Sequence, residues 1–201
     1  MQLKIVQVGE PVLRRRARPI SSEEIRSNAI RTLIEDMRET MYAAPGVGLA
    51  APQVGVPLQL AVIEDREEWL KTLPAEQLVE RERRAVPFHA IINPVIARSS
   101  DEEVEFFEGC LSLPGFSALV PRARLVRVEC LDQHARPQVI EAAGWYARIL
   151  QHEIDHLLGN IYVDRMRSRT FTSLDNFNQF WNQKPINAIR EELSSRENSR
   201  S

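Results

Sequence analysis

The sequence predicts an α+β fold, in which antiparallel β-sheets surround a central helix and a further helix lies near the N-terminus. Two stretches have helical periodicity, residues 23–43 and residues 144–158, and the strand-like segments lie between them. Strands that cluster ahead of a late helix are typical of α+β proteins, because α/β proteins instead alternate strand and helix along the chain.

The N-terminal helix has recognisable boundaries. Ser21 and Glu24 stand three positions apart, which is the pattern of a capping box. Pro45 ends the helix and opens a glycine-rich loop, and a basic run at residues 14–18 indicates an irregular arm before it. The apolar residues with helical spacing are Ile25, Ile30, Leu33, Ile34, Met37 and Met41.

The strand-like segments are short and separated by turn and charged residues. They are residues 58–63, 90–97, 104–107, 119–120, 125–131 and 139–142. Residues 64–84 are highly charged and predict a helical insertion on the surface. After Gly144 the pattern is helical up to residue 158, and Gly159 is well placed to end this central helix.

Composition sets the broad class of protein. We place one domain at residues 1–189 and expect disorder in residues 190–201, which are charged and poor in large apolar groups. A formal charge of −2 gives no case for a specific nucleic-acid ligand, and no apolar run approaches the ~20 residues of a membrane helix. The N-terminus resembles neither a signal nor a transit peptide, and there are only two cysteines. We therefore expect a cytoplasmic protein.

The central helix contains an HExxH pattern formed by His152, Glu153 and His156. Positions i and i+4 lie one turn apart on one helix face, so both imidazoles can bind the same cation. Glu153 follows the first histidine, and its carboxylate can reach a water on that cation. The pattern predicts a metal-binding helix, although two histidines on a charged helix face also occur by chance.

A third metal ligand could come from either side of this helix. No histidine follows it, but Glu191, Glu192 and Glu197 are candidates downstream. Upstream, Cys110 offers a thiolate, which is a strong ligand for divalent iron or zinc. One cysteine and two histidines leave a fourth tetrahedral position for water, as in catalytic sites. A lone cysteine such as Cys110 is nevertheless more often a small buried apolar residue.

Three segments together resemble a known family. GVGLAAPQ (46–53), EGCLSLP (108–114) and QHEIDHLLG (151–159) are similar, in this order, to the signature motifs of the peptide deformylases. The resemblance runs from about residue 8 to residue 171, and GWYAR (144–148) and SRTF (168–171) are similar to the organelle-type branch. Because no transit sequence is apparent, we expect a bacterial member. Bacterial relatives often have an arginine where this chain has Ser117, which puts substrate backbone contacts on that side in doubt.

The resemblance implies roles for individual residues. The implied metal ligands are Cys110, His152 and His156. The implied catalytic groups are Glu153 as general acid/base, with the Gln53 side chain and the Leu111 backbone N–H as oxyanion donors. The residues implied to bind the substrate are Val47, Phe106, Trp145 and Ile149 around its methionine, and Gly48 beside its formyl group.

The implied activity is metal-dependent hydrolysis that removes the N-formyl group from the N-terminal methionine of nascent polypeptides and releases formate. The implied cofactor is one divalent ion, Fe²⁺, with Zn²⁺, Ni²⁺ or Co²⁺ able to occupy the site. The implied partners are formyl-methionyl nascent peptides, with transient proximity to the ribosome and no membrane. Two alternatives stay open, an HExxH endopeptidase and a non-enzymatic metal-binding module, which would need a fourth protein ligand.

Overall fold

A computed structural model describes residues 1–182 and 184–198. Its α-helices are α1 (Ser22–Ile25), α2 (Asn28–Ala43), α3 (Glu67–Leu70), α4 (Ala75–Glu80), α5 (Gly144–Leu157), α6 (Leu174–Phe180) and α7 (Ile186–Asn198). Its strands are β1 (Gly48–Ala50), β2 (Leu60–Asp65), β3 (Val86–Ser99), β4 (Glu103–Cys110), β5 (Leu113–Ala123), β6 (Leu125–Leu131), β7 (Pro137–Ala143) and β8 (Thr172–Ser173).

The strands form two antiparallel sheets, and this confirms the predicted α+β class. One sheet has five strands in the order β1-β2-β3-β6-β7, and the other has three in the order β4-β5-β8. Helix α5 packs against strands of both sheets, and its side chains Ala147, Ile149, Leu150, Ile154 and Leu157 belong to the largest buried apolar cluster. The central position predicted for this helix is therefore correct.

The single N-terminal helix predicted at residues 23–43 is wrong in one respect, because the structure divides it into α1 and α2. The capping box is present, since Ser21 and Glu24 exchange hydrogen bonds at the start of α1. A second cap then begins α2, because the Ser27 hydroxyl accepts a hydrogen bond from the Ile30 N–H at 3.3 Å. A serine in mid-pattern favours such a cap over helix continuation.

The charged insertion and the glycine-rich segment are both attached to strand β2. Residues 64–84 contain the short helices α3 and α4, and Arg83 binds the buried Asp65 carboxylate through two hydrogen bonds of 2.7 and 2.9 Å. Gly48 begins β1, which pairs with β2, where the sequence predicted only a loop. This pairing fixes the glycine-rich segment against the sheet.

The C-terminal region contains a helix that spans the expected domain boundary at residue 189. Disorder was expected from residue 190, and the structure has α7 at Ile186–Asn198. Ile186 and Ile189 are buried and Leu193 packs against the same cluster, so apolar residues at i, i+3 and i+7 hold the helix. These three residues form an apolar helix face, which the overall composition of the segment does not reveal. Residues 199–201 of the predicted tail lie outside the described residues.

Within the described ranges, no helix combines the length and the apolar character that crossing a membrane requires.

Candidate metal centre and its cleft

Three side chains predicted to bind a metal converge in the structure. His152 and His156 project from one face of α5, and their ring centroids are 5.0 Å apart. Cys110 ends β4, and its Sγ lies 3.3 Å from His156 Nε2. The three ligand atoms all lie within 4.8 Å of one another. Among the described residues this is the one group of three or more potential ligands, and it includes neither Glu191 nor Glu192. The side chain of Glu197 lies outside the described residues.

The orientation of His152 is set by a buried carboxylate. Its Nδ1 lies 2.9 Å from Glu108 Oε2, which leaves Nε2 to bind a cation together with Cys110 and His156. Glu108 is only 6% exposed, and it also accepts hydrogen bonds from Arg122 Nε and Nη2, both at 2.9 Å, and from Arg148 Nη1 at 2.5 Å. A carboxylate that fixes the tautomer of a ligating histidine is a common support of metal sites.

A second buried carboxylate extends this network. Asp155 accepts a hydrogen bond of 2.5 Å from Arg122 Nη1 and two more from Arg165 at 2.7 and 2.8 Å. Arg122 therefore bridges Glu108 on β4 and Asp155 on α5. The roles of Asp155, Arg122 and Arg148 could not be predicted from the sequence, because their partners come from distant parts of the chain.

The pKa values of the two histidines are shifted in opposite directions. Burial holds the pKa of His156 well below its usual value, which favours the neutral imidazole that binds a cation. Burial also acts to lower the pKa of His152, but its contacts with Cys110 and Glu108 outweigh this and raise it. For Glu108, burial acts to raise the pKa, and Arg122 with His152 holds it below the usual range.

Glu153 lies beside this group without a hydrogen-bond partner for one of its oxygens. The residue is 3% exposed, and Oε2 meets no donor among the described residues. Burial raises the pKa of Glu153 to about 7. Gly48 lies against its carboxylate, and a Cβ at that position would overlap the carboxylate atoms. The glycine is therefore required by close approach.

Gln53 is held with its amide nitrogen beside the cysteine. Its Oε1 accepts a 2.8 Å hydrogen bond from the Ala50 N–H, and its Nε2 lies 3.4 Å from Cys110 Sγ and 3.3 Å from Ser112 Oγ. Leu111 follows Cys110 and lines the same cleft. Ser117 is buried, and its hydroxyl donates a hydrogen bond of 2.9 Å to the Glu108 carbonyl oxygen.

A cleft of about 610 Å³ opens over these residues. Four of the five residues predicted to bind the substrate line it, namely Val47, Gly48, Trp145 and Ile149. Phe106 is not among the residues that line the cleft, whereas the neighbouring Phe107 is. Neighbouring strand residues point to opposite faces, and the Phe106 ring instead packs against Trp145 at 6.3 Å and beneath the Arg148 guanidinium at 5.3 Å.

The residues present fit a divalent transition metal. A thiolate and two imidazoles are soft or borderline donors, and three such ligands leave a position open, as in catalytic centres. Glu153, with its unpartnered oxygen, lines the same cleft as Cys110 and His152. The Cys/His/His cluster therefore supports metal binding, and its donors do not distinguish iron from zinc.

Comparison with known proteins places the chain in a family. Residues 2–172 match the sequence model of the family described as polypeptide deformylase. The chain is 47% identical over 173 residues to peptide deformylase 1A, chloroplastic/mitochondrial, of Arabidopsis thaliana, covering 86% of this chain and 64% of that protein. It thus spans less than two thirds of the length of this plant relative. It is 45% identical to peptide deformylase 3 of Streptomyces avermitilis, covering 90% of this chain and 79% of that one.

The solved structures agree with the sequence comparisons. A Met-Ala-Ser-bound class I type b peptide deformylase from Acinetobacter baumannii is similar with a TM-score of 0.74 and 32% identity, over 83% of this chain and 99% of that one. The family match at residues 2–172 includes α5 and the three segments that resemble the signature motifs. The chain belongs to the polypeptide deformylase family.

Proposed function

We propose that this protein is a metal-dependent peptide deformylase, which removes the formyl group from the N-terminal methionine of nascent polypeptides and releases formate. The single observation that carries the proposal is the Cys110/His152/His156 group at the base of a cleft, next to a buried carboxylate with an unpartnered oxygen. Family membership supports it, since the relatives named above are peptide deformylases.

Cys110, His152 and His156 would hold one divalent cation. When bound, such a cation supplies Lewis-acid chemistry, which polarises a carbonyl and makes water a stronger nucleophile at neutral pH. We propose Fe²⁺ as the native ion, with Zn²⁺, Ni²⁺ or Co²⁺ able to replace it. Metal analysis of protein purified without exposure to air identifies the resident ion.

The chain's own residues would move the protons and stabilise the charge. Glu153 accepts a proton from the attacking water and delivers it to the departing amine, and a pKa near neutrality suits both roles. The Gln53 amide and the Leu111 N–H donate hydrogen bonds to the formyl oxygen as it gains negative charge. Glu108 and Arg122 keep His152 oriented through the hydrogen bonds described above.

The apolar part of the cleft would bind the methionine side chain. Val47, Trp145, Ile149 and Phe107 surround it with apolar and aromatic groups, which suits an unbranched thioether. Burial of a methionine side chain contributes about 1.5–3 kcal/mol. We therefore expect formyl-Met-Ala-Ser to exceed formyl-Ala-Ala-Ser by roughly 10- to 200-fold in kcat/KM. Equal kcat/KM values for the two peptides would contradict the pocket assignment and leave the metal chemistry intact.

The alternative function is that of an HExxH endopeptidase, which would use similar chemistry on internal peptide bonds. Formate release from formyl-Met-Ala-Ser, measured beside casein cleavage on one preparation, distinguishes the two. The proposed function requires formate without casein fragments.

The cellular setting is also a proposal. We propose that residues 1–189 are the catalytic domain, that the protein acts in the cytoplasm, and that it meets nascent chains close to the ribosome. The curated relatives include both an organellar and a bacterial protein, and cell fractionation tests the location.

A further inference from the structure

Residues 5–8 run alongside the two parts of the chain that carry the proposed oxyanion donors. The Val6 N–H donates a hydrogen bond of 2.8 Å to the carbonyl oxygen of Gln53, whose side chain is one of these donors. The Val8 N–H donates one of 2.8 Å to the carbonyl oxygen of Ser112, the residue after the other donor. We call residues 5–8 the bracing segment, because its backbone joins the two donor-bearing parts of the chain.

The Gln7 side chain adds a contact with Leu111 itself. Its Nε2 donates hydrogen bonds of 3.3 Å to the Leu111 carbonyl oxygen and to the Ile5 carbonyl oxygen. An amide nitrogen carries two hydrogens, so one side chain can hold both acceptors at once. Gln7 is exposed and lines the same cleft as Cys110. It therefore ties Leu111 to the bracing segment at the edge of the cleft.

Leu111 and Ser112 form the two-residue turn between β4 and β5. On one side, Cys110 pairs with Leu113 across the turn. On the other side, the carbonyl groups of both turn residues accept hydrogen bonds from the bracing segment. Each residue has only two soft dihedral angles, so holding the groups on both sides of Leu111 restricts the direction of its N–H.

The bracing segment is anchored to helix α2 and to the buried core. The Leu3 N–H, shortly before the segment, donates a 2.8 Å hydrogen bond to the hydroxyl of the buried Thr40 on α2. Leu3 and Ile5 pack against the buried apolar cluster that contains Met37 and Met41 of the same helix. The donors are thus connected through the bracing segment to a fixed part of the fold, which is what precise placement of a reacting group requires.

We propose that Gln7 is a positioning residue for deformylation, which holds the Leu111 peptide group so that its N–H points at the formyl oxygen. The proposal rests on the proposed function. A hydrogen-bond donor lowers the barrier only when it is aimed at the place where negative charge develops. A displacement of about 1 Å, caused by a change outside the reacting groups, can cost up to ~100-fold in rate.

The first test is Gln7→Met in the metal-loaded full chain. Methionine keeps the length of the side chain but has no N–H to donate. Loss of the hydrogen bond to Leu111 should lower kcat for formyl-Met-Ala-Ser roughly 3- to 10-fold. KM should stay within ~2-fold of the native value, because the donor matters most as charge develops in the transition state. Since Gln7 is exposed, the midpoint of thermal unfolding should move by less than ~2 °C.

Gln7→Lys is the rescue variant, because lysine has a similar reach and restores a donor. Its kcat should return to within ~3-fold of the native value, and this recovery should persist at roughly 0.5 M salt. Salt screens the effect of an added exposed charge, whereas a direct hydrogen bond is little affected. A recovery that disappears at high salt would assign the effect to charge and overturn the proposal.

The order of the Leu111 amide gives a readout that does not depend on formate release. The zinc-loaded protein suits this measurement, because zinc has a filled d shell and is diamagnetic. The NMR order parameter of this amide should be about 0.85 in the native chain, fall below ~0.7 in Gln7→Met and recover in Gln7→Lys. An order parameter that is unchanged in Gln7→Met overturns the proposal.

Gln133→Met is the matched control. Gln133 is an exposed glutamine between β6 and β7 and does not line the cleft, so kcat, KM and the order of the Leu111 amide should stay at their native values. If Gln7→Met raised KM and left kcat unchanged, Gln7 would bind the substrate and the proposal would be wrong. Absence of formate from the native metal-loaded chain would contradict the proposed function, whereas the amide order would still test whether Gln7 holds Leu111.

Discussion

Glu153→Gln is expected to lower kcat at least ~100-fold while the protein keeps its metal, as for the loss of a general acid/base. Glutamine fills the same space beside Gly48 but cannot take up or deliver the proton. The residue is not part of the convergent ligand group, because neighbouring helix positions do not share one face. Formate release and metal content are measured on the same sample.

Cys110→Ser is the control for this experiment. It changes a ligand atom of the convergent group, so bound metal should fall along with the rate. If Glu153→Gln lost its metal as Cys110→Ser does, Glu153 would be a ligand and the proposed proton transfer would be wrong.

Arg122→Met should destabilise the protein by about 3–5 kcal/mol, which is the usual cost of breaking a buried ion pair. Arg122 is 3% exposed and bridges two buried carboxylates, those of Glu108 and Asp155. Arg148 and Arg165 remain as partial partners of these carboxylates, so the variant should still fold. The free energy of unfolding by urea measures the effect. Arg127→Met is the matched control, since Arg127 pairs with Glu129 and Glu141 on the surface, where such pairs contribute ~1 kcal/mol or less.

The loss of stability in Arg122→Met should depend on pH, and the pKa shift of Glu108 gives the direction of this dependence. In the native protein the folded pKa of Glu108 is below its ordinary 4.5, so its contribution to stability is present above that pH and is lost as the pH falls. Without Arg122 the folded pKa rises, and protonation relieves the unpaired charge. The difference in the free energy of unfolding between the native protein and Arg122→Met should therefore become smaller below about pH 5. A gap that stays constant down to pH 3 would show that lost packing, and not charge, causes the destabilisation.

Local sequence patterns predicted those features that depend on a single segment of the chain. The capping box at Ser21 formed as predicted, and the HExxH spacing placed His152 and His156 on one face of α5. Ligand chemistry left Cys110 and the downstream glutamates open as the third ligand, and the family resemblance implied Cys110. The structure places Cys110 with the histidines.

Those patterns could not predict contacts between residues that are far apart in the sequence. Arg148 interrupts an apolar helix face, and its role depends on Glu108, which lies 40 positions away. The choice between Phe106 and Phe107 depends on strand register, because a shift by one residue exchanges the two faces. The packing of α7 involves a few apolar residues that share a cluster with residues of β4, and overall composition does not reveal such individual contacts.

The most direct test of the account is formate release measured against bound metal. Protein stripped by a chelator is titrated with Fe²⁺ in the absence of oxygen, and formyl-Met-Ala-Ser is supplied in excess. Formate release should rise in proportion to bound metal and saturate at about one ion per chain, as expected for a single catalytic cation. A chain that binds one ion and releases no formate, or releases formate equally without metal, would contradict the account.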